Sequence, residues 1–393
     1  SGFVDWRGAA QWANDVDEAL EVIAGLASGA QASIALALAE RALDRIETAM
    51  NSIDDSSGHC GASLDRARDI HLAAARTCRP DPVLLAHDLF FREMNGGYDT
   101  FSRAARLYAD VLGEEGLGEY RRLAAAAWDK LPQRTARPKE KYEYSGKYSQ
   151  LTEILDFFAE RDGDTDARIA LRTKDLSSSW NYLQLAEFCL SQRRKEEALK
   201  WAEEGLWAFE DERPDSRLLF FTSDLLAKGR RKADAEAHLW RAFEKQPSLE
   251  IYLRLRKFGG GEVRERAVTF LEAQAAKEKG SRWDHPADLL IRVLTHEKRF
   301  DAAWTAVQRH GATMGAKETL ARASEAAHPR EALEIYAEQV AQLANHGGGR
   351  TYEEAAQLVT HMATLRDKAG HAAYVADLKA RFGRKRNFMK LLG

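Results

Sequence analysis

Apolar residues along the chain recur at helical spacing almost from the first residue. Phe101, Ala104, Ala105, Tyr108, Val111 and Leu112 stand at i, i+3, i+4 and i+7, which places them on one face of a helix. Comparable stripes run through 5–27, 30–52, 60–77, 82–93, 100–113 and 116–130, separated by Gly, Pro or Asp-Ser clusters that stop helices. Alternation with period two is nowhere sustained, so an all-α fold is predicted.

The pattern breaks at 132–148, where Pro132 and Pro138 stand among many charges. Proline removes a backbone donor and biases the preceding residue toward extended structure. The organisation predicted is an N-terminal all-helical domain over 1–131, a linker over 132–148, and a second domain over 149–393. That second part repeats itself. Ala198, Ala235, Ala267, Ala302 and Ala332 follow one another at 37, 32, 35 and 30 residues, near the ~34-residue tetratricopeptide period. Twelve residues before each stands a small or apolar position: Ala186, Ser223, Leu255, Leu290 and Leu320. Such pairs are expected to face each other across an antiparallel helical hairpin, while Ala202, Leu239, Leu271, Ala306 and Tyr336 pack on the next hairpin. The prediction is an α-α superhelix, a tetratricopeptide-like solenoid. Gly259-Gly260-Gly261 reads as a bare linker between repeat helices, and the stretches 351–368 and 370–383 as a terminal cap. Phe388, Met389, Leu391 and Leu392 are expected to dock on that cap as a lid.

With 45% hydrophobic residues, 30% charged residues and nine Trp, the 393-residue chain has ample material for packed cores. A formal net charge of -3 gives no whole-chain field that favours nucleic acid or an anionic membrane. Cys60, Cys78 and Cys189 are few, odd in number and far apart, which reads as free thiols in a reducing, cytoplasmic setting. No stretch approaches the ~20 apolar residues of a membrane span. The chain starts on Ser1-Gly2 without Met, so it is expected to be a fragment of a longer protein.

Gly2-Phe3-Val4-Asp5-Trp6-Arg7, the loop 53–59, the run Ala109-Asp110-Val111-Leu112-Gly113 and the ending 384–392 together resemble the C-terminal helical region of bacterial SWIM zinc-finger proteins, over nearly the whole chain. The resemblance implies a zinc site of Cys-x-Cys and Cys-x-His upstream of this region. The three cysteines here lack that spacing, so no metal residue and no cofactor is expected within this chain.

Candidate chemistry is sparse. The chain has no phosphate-binding Gly-x-x-x-x-Gly-Lys-Ser/Thr, no Gly-x-Ser-x-Gly and no His-Glu-x-x-His, so an enzyme is not expected. Asp54, Asp55 and His59 form the densest polar loop. It reads chiefly as helix capping around a Gly58 turn, with a cation or partner site as the alternative. The aromatic set Trp180, Tyr182, Trp201, Trp207, Phe209, Phe220, Phe221 and Trp240 reads as solenoid core. Arg194, Arg231 and Arg299 recur where one repeat helix ends and its partner begins, and Arg384, Lys385 and Arg386 cluster at the end. The repeat-turn arginines read either as cations at helix C-termini or as a basic ridge for an acidic partner or a phosphate backbone, and the terminal cluster as solvated charges beside the docked lid or as a free recognition segment. The function expected is a protein-protein interaction scaffold that binds a protein partner, with a nucleic-acid-binding accessory role as the alternative.

Overall fold

Residues 3–136, 146–277 and 285–393 are described by a computed structural model of the chain. Among them every regular element is a helix, and strand pairing is limited to the isolated bridges Val4–Ile53 and Arg134–Asp175. Ser1, Gly2, Pro138 and the rest of 137–145, at the centre of the expected linker, lie outside the described residues. The chain forms two compact units, residues 1–209 and 210–393.

The first unit begins with α1 (Trp6–Ala27), α2 (Ala32–Met50), α3 (His59–Cys78) and α4 (Pro82–Asn95). Side chains place the starts: the Asp5 carboxylate accepts from Gly8 N at 2.9 Å, and the Asp81 carboxylate accepts from Val83 N and Leu84 N at the proline-led start of α4. Between 99 and 129 the sequence expectation needs correction. In place of one helix over 100–113 there is a 3-10 turn (Asp99–Phe101), a short α5 (Ala104–Leu107) and then α6 (Ala109–Asp129). Two residues break the run. Arg103 is left-handed (φ 64°) with its N–H donated to the Glu93 carboxylate at 2.8 Å, and Gly113 takes φ 58°, ψ -169°, a conformation essentially reserved for glycine. The apolar stripe is nonetheless buried, every one of Phe101, Ala104, Ala105, Tyr108, Val111 and Leu112.

α7 (Lys147–Arg161) adds Leu151, Ile154 and Phe158 to the same core as Leu20, Leu43, Leu89 and Tyr120. α8 (Thr165–Arg172), α9 (Ser179–Ser191) and α10 (Lys195–Ala208) complete the unit. The second unit holds α11 (Ser216–Lys228), α12 (Lys232–Lys245), α13 (Leu249–Lys277), α14 (Ala287–His296), α15 (Phe300–His310), α16 (Met314–Ser324), α17 (Pro329–His346), α18 (Gly349–Met362), α19 (Lys368–Phe382) and α20 (Arg386–Leu391).

Four hairpins share one tip. In α7/α8, α9/α10, α11/α12 and α14/α15 the first helix ends on a left-handed residue: Gly163, Arg193, Arg230 and Lys298, with φ of 69°, 64°, 62° and 57°. The next N–H then reaches back five residues: Asp164 to Ala159 O, Arg194 to Cys189 O, Arg231 to Leu226 O and Arg299 to Leu294 O, at 2.8–2.9 Å. This is a Schellman closure, which satisfies the last carbonyls of one helix while turning the chain into the next. It also sets the register. Four residues beyond the tip, Ala198 N, Ala235 N and Ala303 N donate to the carbonyls of Arg194, Arg231 and Arg299. All three alanines are fully buried, whereas Ala302 is only half-buried. The repeat alanine of α15 is therefore Ala303, one residue later than the sequence spacing indicated. Ala186, Ser223, Leu255, Leu290 and Leu320 are all buried, as are Ala202, Leu239, Leu271, Ala306 and Tyr336.

Two further expectations change. The Gly259–Gly261 linker shrinks to one residue, because helical geometry runs through α13 on both sides of Gly260 (φ 57°, ψ -137°). The aromatic set divides: Tyr182, Phe220 and Trp240 are core, but Trp180 and Trp207 are 42% and 62% exposed. At the end of the chain the two periodic stretches are the helices α18 and α19. The lid rests on Phe388, which is buried, stacked on Tyr352 with centroids 5.5 Å apart and edge-on to Phe382, while Leu391 stays exposed.

Hydrogen-bonded ion pairs tie hairpin to hairpin. Glu297, at the tip of α14, accepts from Tyr252 Oη and Arg256 Nε of α13, both at 2.7 Å. The Arg256 guanidinium holds this carboxyl below its ordinary value of 4.5, against the opposing effect of burial and with help from the Tyr252 hydroxyl.

Ala198→Trp is expected to cost about 1 to 3 kcal/mol or more, since a large ring has no room between α9 and α10. Lys195→Ala, at the exposed first residue of α10, should stay within about 0.5 kcal/mol. Equal shifts of the urea midpoint for the two variants would refute this register. For Glu297 the folded pKa is the depressed one, so the charged carboxylate contributes stability above its unfolded value and loses that contribution as pH falls through the folded value. Arg256→Gln should therefore destabilise by about 1.5 to 3 kcal/mol at pH 7. The gap from wild type should narrow below pH 4.5, which denaturant titrations at a series of pH values would measure.

Candidate functional site

The first unit carries an open groove of about 500 Å³ between α7 and α9, closed at one side by the end of α8. α7 turns Tyr148, Leu151, Ile154 and Phe158 into the core, which leaves Thr152, Glu153 and Asp156 on the groove side. α9, capped by the Ser178 hydroxyl, buries Tyr182, Leu185, Ala186 and Cys189 and presents Asn181, Gln184 and Glu187. Helical period alone produces this division.

The groove is rigid on one side and open on the other. Asp156 accepts from Arg168 Nε and Nη2, each at 2.9 Å, and from Arg172 Nη1 at 2.6 Å. Burial works against the Asp156 charge, yet the two guanidiniums hold its carboxyl below the usual range. Both guanidiniums also lie over the Phe188 ring, Arg172 at 3.7 Å and Arg168 at 5.1 Å. By contrast, the side-chain amides of Asn181 and Gln184, one helical turn apart, hydrogen-bond to none of the described residues. They are open donors and acceptors on a fixed wall.

A neighbouring cleft of about 330 Å³ is self-satisfied. Arg103 pairs with Glu153 at 2.5 Å and Arg106 with Glu160 at 2.6 Å. Glu93, raised by burial, accepts the Tyr120 hydroxyl and the Arg103 N–H. Its polar groups are spent on one another.

The residues singled out in the sequence fall in separate places. Asp54 accepts from Ser56 N at 3.1 Å, and the two oxygens of Asp55 accept from Cys60 N and Gly61 N at 2.9 Å, so Asp55 caps α3. His59 is exposed. The adjacent Cys60 thiol is pushed up to about 11, first by burial and then by Asp55, which removes its reactivity near neutral pH. The tip arginines each face a carboxylate: Arg194 pairs with Asp166 and with Glu197 at 3.0 Å, Arg231 with Asp234 at 2.6 Å and Arg299 with Glu265 at 3.1 Å. Arg384 and Arg386 are exposed, whereas Lys385 is half-buried, its Nζ 3.4 Å from Asn345 O and 5.9 Å from the Tyr352 ring centre.

One constellation escaped the sequence reading. Glu40 of α2, His71 of α3 and Asp88 of α4 bring one ligand-type atom each to within 4.8 Å of one another. They are separated by 31 and 17 positions on three helices, so no spacing motif marks them. The available signal was a histidine on an otherwise apolar face, among Leu64, Ala67, Ala74 and Ala75, all buried.

None of the helices among the described residues is long and apolar enough to cross a membrane. No curated protein matches the chain. Among solved structures, the TPR domain of P58(IPK) aligns at 12% identity over 96% of each chain, with a TM-score of 0.22. A circular tandem repeat protein with novel repeat topology and enhanced subunit contact surfaces aligns at 13% identity over 98% of this chain and 91% of that one, with a TM-score of 0.16. Overlaps this low add nothing to what the hairpins themselves establish about the fold. A family profile matches residues 1–391, and the chain accordingly belongs to DUF6880, a family of unknown function.

Proposed function

We propose that this chain is a non-catalytic helical-repeat scaffold whose α7–α9 groove holds an extended segment of a partner protein. The carrying observation is the pair of unengaged amides, Asn181 and Gln184, above the fixed Asp156–Arg168–Arg172 network. A side-chain amide offers a donor and an acceptor together, which matches a peptide unit and is indifferent to the partner's side chains. Glu187 at the rim, with no ion pair to a described residue, favours a segment carrying Lys or Arg.

The setting proposed is cytoplasmic, as the C-terminal part of a SWIM zinc-finger-type protein, on the strength of the four landmark segments in the sequence. The nucleic-acid alternative has the weaker support. Arg194, Arg231 and Arg299 each face a carboxylate of their own or an adjoining helix, which suits local charge balance at hairpin tips.

The test is selection of peptides from a random displayed library on the immobilised protein, followed by affinity measurement in solution. The expected result is enrichment of extended, basic peptides. Joint Asn181→Ala and Gln184→Ala should weaken them about tenfold or more, as two hydrogen bonds of about 1 kcal/mol each imply, with the thermal midpoint unchanged. No enrichment, or equal binding by the double variant, overturns the groove. Salt-sensitive duplex DNA binding that disappears on joint Arg194→Gln, Arg231→Gln and Arg299→Gln would favour the alternative.

A further inference from the structure

The Glu40–His71–Asp88 constellation lies on elements that the groove does not use, and its histidine is unusual. The His71 side chain is wholly buried, and its Nε2 has no hydrogen-bond partner. The other ring nitrogen, Nδ1, is 2.9 Å from the Tyr108 hydroxyl, which is itself 3.4 Å from the Arg68 carbonyl oxygen. Phe101 and Tyr108 meet the ring edge-on, with centroids 5.9 and 5.5 Å away. The imidazole is thus fixed in orientation from one side, with Nε2 directed at Glu40, whose Oε1 is 3.6 Å away.

We infer that Glu40, His71 and Asp88 form a site for a divalent transition-metal ion of the zinc class. With Nδ1–H donated to the Tyr108 oxygen, Nε2 presents a lone pair toward the Glu40 carboxylate, and a metal ion between them would satisfy both. Zinc bonds to nitrogen and carboxylate oxygen are about 2.0 to 2.2 Å long, so tetrahedral ligand atoms stand about 3.4 Å apart. The three atoms here lie within 4.8 Å before any adjustment. Both carboxylates are about one-third exposed, so they have freedom to close on the ion and solvent can supply a fourth ligand.

The surroundings are consistent with this assignment. Arg92 Nε bonds Asp88 Oδ2 at 2.8 Å, and its Nη1 bonds Asp44 at 2.7 Å, so the guanidinium orients one ligand while its charge is offset by Asp44. Glu40, Asp88 and Asp44 against Arg92 leave a surplus of negative charge around the His71 ring, complementary to a dication. One nitrogen and two carboxylate oxygens suit zinc, cobalt or manganese better than calcium, which prefers six to eight oxygens. An ion there would join α2, α3 and α4, so its binding should also stabilise the first unit.

The experiment uses the whole chain, stripped with chelator and titrated with Co²⁺ and then Zn²⁺. The expected result is one equivalent of Co²⁺ with visible d–d absorption and no thiolate charge-transfer band, displaced by one equivalent of Zn²⁺. The absence of that band separates this site from Cys60, Cys78 and Cys189. Glu40→Gln and Asp88→Asn should each weaken Zn²⁺ binding about tenfold or more, while His346→Ala, an exposed histidine elsewhere, should not. Should a variant fail to fold, wild type still decides: its thermal midpoint must rise with Zn²⁺ and return with EDTA. The inference is overturned by no stoichiometric binding, by a thiolate signature, or by folded Glu40→Gln and Asp88→Asn proteins that bind as wild type does. In those cases the three side chains meet without a metal ion between them. None of these results depends on the peptide groove.

Discussion

Everything in the repeated part of the chain depends on how closely two antiparallel helices can approach. Ala186 and Ala198, like Ser223 and Ala235, are small buried residues twelve positions apart on the two helices of a hairpin, joined by a tip with no slack. Small side chains at these positions let paired backbones come close, and larger buried groups such as Tyr336, edge-on to His361 of α18, meet the following helix. A bulky residue at the contact would separate the pair. The separation would then misplace every surface built on it, the α7–α9 groove included.

Much of this was legible in the sequence because period is a direct image of packing. The alanine interval indicated the hairpins, and the positions at the twelve-residue offset are buried. What failed was phase at single residues. Ala302 and Ala303 both satisfy an apolar pattern, and only the back-bond from Arg299 to Leu294 decides between them. The break at Arg103 was equally hidden. It is stabilised by a carboxylate ten residues earlier, Glu93, and a long-range acceptor leaves no local trace. Trp180 and Trp207 were assigned to the core on residue type, but type does not say which face of a helix a ring occupies.

The candidate sites were less legible than the fold, and for a physical reason. Charged residues that stand out in a string, such as the tip arginines, stand out because they are clustered, and clustering at a hairpin tip also places them near carboxylates. The groove amides and His71 stand alone in the sequence. Their significance comes from side-chain atoms, the two amides and His71 Nε2, that bond to none of the described residues, and that is visible only once the neighbours from other helices are in place.

The closure of the stack by Phe388 has a consequence for how such chains behave when shortened. One ring, set on Tyr352 and against Phe382, covers the last apolar surface of the second unit. Proteolysis just before α20 would bare both aromatics on a face shaped to receive a helix. Helical arrays left with an uncovered end pack against one another. A truncated product would then lose its monodispersity before it lost its helices, and gel filtration would register the damage while circular dichroism still looked intact.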